Sequence, residues 1–156
     1  MTSATNPKTI ELYGYGVQHE GVASGEIVPG MLVQRDAGNS VEPHDDEAGP
    51  ANTHFAVEYG MTGQTINDAY EVGDQVVYKT YVPGSGVYTW IGAEAPAVAN
   101  KALLVSAGDG TLKALVAAEG GTVVAQALEA VDNSAGLTPA RIRVEVMPAV
   151  YVAPVA

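Results

Sequence analysis

Three histidines, His19, His44 and His54, and the acids Asp45, Asp46 and Glu47 are the side chains best suited to hold a metal or move a proton. A zinc or iron centre needs several such groups to converge. Only His44 has carboxylates beside it in the chain. The Asp-x-Asp-x-Asp-Gly spacing of a calcium loop is missing, and adjacent aspartates on an extended chain point to opposite sides. This cluster therefore reads first as a solvated acidic loop, with calcium binding as the sharper alternative. There is no Gly-x-Ser-x-Gly elbow, no phosphate-binding loop and no His-Glu-x-x-His. Gly14 and Gly16 lack the third glycine of a dinucleotide fingerprint. Any two of the 18 acids could meet as a glycosidase pair. Yet Trp90, Tyr78, Tyr81 and Tyr88 read as cross-strand packing before they read as a sugar platform, with an interface anchor between the two. The expectation is no enzyme, with no catalytic, cofactor-binding or metal residues.

The charge balance narrows the partners. Seven Lys+Arg against 18 Asp+Glu give a net charge of −11, which repels phosphate backbones and anionic membranes. Neither a nucleic acid nor a membrane is expected as partner. Charged residues make up 16% and apolar residues 47%, an imbalance that fits a surface partly covered in an assembly. Cysteine is absent, so packing alone must stabilise the fold. Residues 1–12 show no basic segment leading into an apolar run, so no signal peptide is expected there.

These residues sit in a chain that reads as all-β with little helix. Glycine and proline punctuate short runs of Val, Tyr, Thr and Ile, the pattern of a sandwich or small barrel. Residues 1–16 read as an extended N-terminal arm and 17–156 as one barrel-like domain. Two short strands pivot on Pro29 and Gly30, and 36–53 reads as a long loop, longer than compact domains usually carry. Thr65 to Tyr70 could close a single helical turn. Residues 74–82 form a strand, 83–86 a tight turn and 87–93 its hairpin partner. A second hairpin turns on Asp109 and Gly110, between 102–106 and 111–116. Residues 122–130 read as a buried strand. In the last strand, Ile142, Val144 and Val146 face one way while Arg141, Arg143 and Glu145 face the other. The apolar stretch 147–156 should pack on its own body or on a neighbour.

Several of these elements together resemble the capsid decoration, or cement, proteins of tailed phages and related archaeal viruses. The resemblance rests on Tyr70, Gly73, Asp74 and Val76, then on the turn Pro83, Gly84 and Gly86. It continues through Leu103 and Leu104 before Asp109, Gly110 and Leu112, and through Val123 to Ala130 into the strand at Arg141. It covers about the last two-thirds of the chain in short motifs. It implies a β-barrel or β-tulip body at local three-fold axes, a homotrimer there, and the major capsid protein as partner. It also implies an arm that adds to a capsid strand, matched here by Thr9, Ile10, Glu11, Leu12 and Tyr13 in character. The protein would be made in the host cytoplasm and would sit on the outer capsid surface of the virion, stabilising the head against internal DNA pressure. A tail or fibre component is the related alternative. From another class comes a small ligand-binding or carrier module, since Val98, Lys101, Leu103 and Leu104 faintly resemble a biotinyl or lipoyl barrel. Lys101 and Lys113 lie off the Asp109–Gly110 tip, where a modified lysine would have to stand.

Overall fold

Strand-forming residues dominate because the chain buries its Val, Ile, Leu and Tyr between two sheets. The computed structural model describes residues 6–155. Eleven strands follow one another: β1 (Glu11–Tyr13), β2 (Gly16–Ala23), β3 (Val33–Arg35), β4 (Ser40–Pro43), β5 (His54–Ala56), β6 (Gln75–Tyr81), β7 (Gly86–Ile91), β8 (Leu103–Ser106), β9 (Leu112–Ala114), β10 (Gly121–Ala127) and β11 (Ala140–Val152). A short 3-10 turn at Gly60–Thr62 is the one helical element among the described residues. The fold is all-β, as the turn spacing requires.

The first sheet runs β1-β7-β11-β10-β8-β9, and β9 pairs back onto β7 through Ile91 and Leu112. That contact brings the sheet partly round on itself. The second sheet runs β3-β4-β2-β6-β5. Leu32, just before β3, bridges Phe55 in β5 and draws its two outer strands together at one end. One core joins the sheets: Phe55, Val77 and Tyr81 from the second pack with Val87, Ile91, Leu104, Val124, Ile142 and Val144 from the first. A smaller core of Ala23, Val33, Val41, Ala56, Val76 and Tyr78 fills the curl of the second sheet.

The alternation in the last strand holds, with Ile142, Val144 and Val146 buried and the intervening residues partly exposed. The second hairpin also holds, as β8 and β9 pair antiparallel. The first does not. β6 pairs with β2 and β5, whereas β7 pairs with β1 and β11. Pro83 and Gly84 therefore carry the chain from one sheet to the other. The expected loop 36–53 contains β4, which runs parallel to β2 and antiparallel to β3. Thr65 to Tyr70 is a turn rather than a helix, closed where the Thr65 N–H and hydroxyl both donate to Asp68 Oδ2. The stretch after Val146 continues as β11 beside β10, so its backbone pairs within its own sheet.

Candidate docking surface and the histidine cluster

The expected arm needs correcting at residues 9–16. Ile10 is fully buried in the main core, its carbonyl accepts from the Tyr88 N–H, and its own N–H donates to Glu58. Glu11 pairs with Lys79 at 3.0 Å, Leu12 packs against the core, and Glu11 and Tyr13 register with Val87 and Gly86. The cause is the open edge of β7: a free row of backbone groups beside an apolar core is a better place for Ile10 and Leu12 than solvent. Of the five residues expected to grip a capsid, Thr9 and Tyr13 are exposed. Residues 1–5 of the expected arm lie outside the described residues.

Tyr13 belongs to something larger. Tyr15 hydrogen-bonds Ser85 through both backbone groups, and the Val82 N–H donates to the Tyr15 carbonyl. Gly84 donates to the carbonyl of Val146. The 82–85 turn thus lies between the two tyrosines and β11. Past that turn β11 outruns β7, which it pairs only through Glu145. Along 147–152 the strand is flanked by β10 on one side and, among the described residues, by no strand on the other. The pairing shifts between Val146 and Val150, where Pro148 and Ala149 (φ 56°) form a bulge, and such bulges at an edge redirect the residues that follow. Tyr13, Tyr15 and Val82 are exposed around the 82–85 turn, and Val150, Tyr151 and Val155 are exposed along and just beyond the far part of β11. Large exposed apolar side chains along a free strand edge make this side of β11 a candidate protein-docking surface. The sequence signal lay in the tyrosines and the valine-rich tail.

His44 is not solvated. It is buried, with Nδ1 bonded to Ser106 Oγ at 2.7 Å and Nε2 to the Pro50 carbonyl at 2.8 Å. Nδ1 ties the loop to β8 and Nε2 closes the loop on itself, which leaves neither nitrogen to bind a metal. Asp45 bonds Gln34, and Glu47 pairs with Lys113. Among the described residues no three His, Asp or Glu converge as metal ligands would. Lys113 is held by Glu47 and Glu119, and Lys101 lies in the turn before β8.

The other two histidines meet, which their separation in sequence hid. His19 on β2 stacks on the Tyr78 ring at 5.2 Å, and His54 on β5 meets the same ring edge-on at 5.7 Å. Both bond Thr80 Oγ1, at 3.1 Å from His19 Nε2 and 2.7 Å from His54 Nδ1. Arg35 donates through Nε to the Tyr78 hydroxyl at 2.9 Å. This polar group links β2, β3, β5 and β6 of the second sheet. Burial, and then the charges of Arg35 and His19, push the His54 pKa down to about 4.

No protein-family model matches the chain, and no curated protein matches it. Among solved structures, the fold is similar to the N base of head fiber gp8.5 in bacteriophage phi29. The TM-score is 0.56 at 13% identity, and the match covers 86% of this chain and 97% of that one. The chain thus shares its all-β architecture with a component of a phage head.

Proposed function

We propose that this protein is a non-catalytic structural component of a phage head, attached to the outer capsid surface through its tyrosine-rich end. The observation that carries the reading is the fold similarity to a head-fibre base, which spans nearly the whole of that chain. The exposed Tyr13 and Tyr15, with Val150 and Tyr151 on a stretch of β11 that among the described residues has one free edge, supply what such attachment needs: apolar anchors and backbone groups for an added strand. Decoration in the cement sense, with the major capsid protein as partner and a homotrimer at three-fold axes, is the finer form of this proposal. Contacts repeated over many symmetric positions add up even when each is weak. A fibre base is the second reading, favoured by the same structural neighbour.

Purified protein mixed with heads that lack it should co-sediment with them. The double variant Tyr15→Ser/Tyr151→Ser should remain folded by circular dichroism and lose most of that binding. A control at Met61 and Leu137, exposed at 88% and 83%, should bind normally. Full binding by the tyrosine variant would refute this docking surface, and no binding by the unaltered chain would refute the head role itself.

A further inference from the structure

Arg35 is a cation without a carboxylate. In a chain of net charge −11, Lys79, Lys113 and Arg143 each form a salt bridge, while among the described residues Arg35 forms none. Its Nη2 lies 3.4 Å from His19 Nδ1. A guanidinium has only donors, so His19 Nδ1 must accept, and the neutral ring then carries its proton on Nε2. That proton is donated to Thr80 Oγ1. The Thr80 hydroxyl, having accepted from His19, still has its one proton to give, and His54 Nδ1 at 2.7 Å is placed to take it. In that arrangement neutral His54 carries its proton on Nε2, and that N–H has no hydrogen-bond partner among the described residues. Arg35 fixes the direction of the bonds through His19, and bonds in series polarise one another.

The relay ends at a groove. A cleft of about 500 Å³ is lined by Arg35 and His54 together with Gln34, Asn52, Ala51 and the ring of His44. No acid is among its lining residues. Glu42 and Asp45, the carboxylates bonded to the lining residue Gln34, are both held by its side-chain amide, and the two bonds of His44 occupy its nitrogens. Around His54, β6 contributes Thr80 and Tyr78, β2 contributes His19 and β3 contributes Arg35, so the formal charge facing it is positive.

The geometry points to a binding site for a small oxyanion, held in this groove by the Arg35 guanidinium and the His54 Nε2–H. Thr80 and His19 are positioning residues: they set the tautomer of His54 without touching the ligand. A carboxylate and a phosphate share the required chemistry, since both accept from a planar guanidinium and a neighbouring N–H.

Nitrogen-15 NMR of the imidazoles tests the relay and the site together. At pH 7, both His19 and His54 should show the Nε2–H tautomer. Inorganic phosphate and sodium acetate, titrated in separate arms at constant ionic strength, should shift the His54 resonances saturably in at least one arm, and the arm that saturates identifies the preferred oxyanion. Arg35→Gln should abolish the response. Thr80→Val, a near-isosteric change suited to a strand, should weaken binding about tenfold and mix the His54 tautomers. A Nδ1–H tautomer at His54 would overturn the proposal. So would an absence of saturation in both arms, or an equal response to sodium chloride alone.

Discussion

Ile10 has a side chain of the kind an arm would offer to a partner, and the structure uses it as core. Substituting Ile10→Ala should destabilise the protein by about 2–5 kcal/mol, read as a lower urea midpoint with an unchanged slope. Removing residues 1–8 should leave that midpoint nearly unaltered, so the two together locate where the body begins. His54 makes a second residue-scale prediction. Its folded pKa lies near 4 against an ordinary 6.5, so the unfolded chain takes up a proton that the folded one refuses. This contribution to stability is fully present above about pH 6.5 and is lost as pH falls towards 4. His54→Gln should therefore flatten the difference in urea midpoint between pH 7 and pH 5. Nothing in the sequence marked His54 for this behaviour. Burial and the meeting with Arg35 and His19 cause it, and all three sit on different strands.

At the scale of elements, local patterning proved informative where neighbours in sequence are neighbours in space. Asp109 and Gly110 announce β8 and β9 because a tight turn dictates its own pairing, and the two-residue period of β11 reveals its buried face directly. The pattern is silent on which strand lies beside which. Pro83 and Gly84 have the same turn chemistry whether the chain folds back or crosses to another sheet, and only the pairing of β7 with β1 and β11 decides. β4 was hidden for a similar reason: Ser40, Val41, Glu42 and Pro43 offer a single large apolar residue, and their pairing comes from β2 and β3 on either side. The corner between β1 and β2 gives a test at this scale. Gly14 adopts φ 95°, and a Cβ there would sit 2.7 Å from the Ser85 Cα. Gly14→Ala should cost about 1–3 kcal/mol in chemical denaturation, because backbone strain and a clash with main chain act together.

Across the whole molecule, two features oppose each other. The net charge of −11 makes the compact state repel itself, so raising salt from low to molar concentration should increase the melting temperature. Inside, Arg141 holds the layers together. Its guanidinium lies 3.7 Å over the Trp90 ring and donates to the carbonyls of Pro29, Tyr88 and Ile66, and burial pulls its pKa down to about 10. Arg141→Met would remove the donor that the Ile66 and Tyr88 carbonyls share, leaving Pro29 its bond from the Trp90 indole, and should lower stability by about 1–3 kcal/mol, with little of the salt sensitivity expected of a surface pair.

The Pro83–Gly84 crossing has a practical meaning for anyone dividing this protein. A proline-glycine-serine-glycine stretch near the middle of a chain invites use as a cloning boundary, yet here it joins two halves that share their interior. A fragment ending at Val82 would expose Phe55, Val77 and Tyr81, and its complement would expose Val87, Ile91 and Ile142. Expressed separately, both pieces should be insoluble or unfolded; expressed together, they should recover a soluble pair.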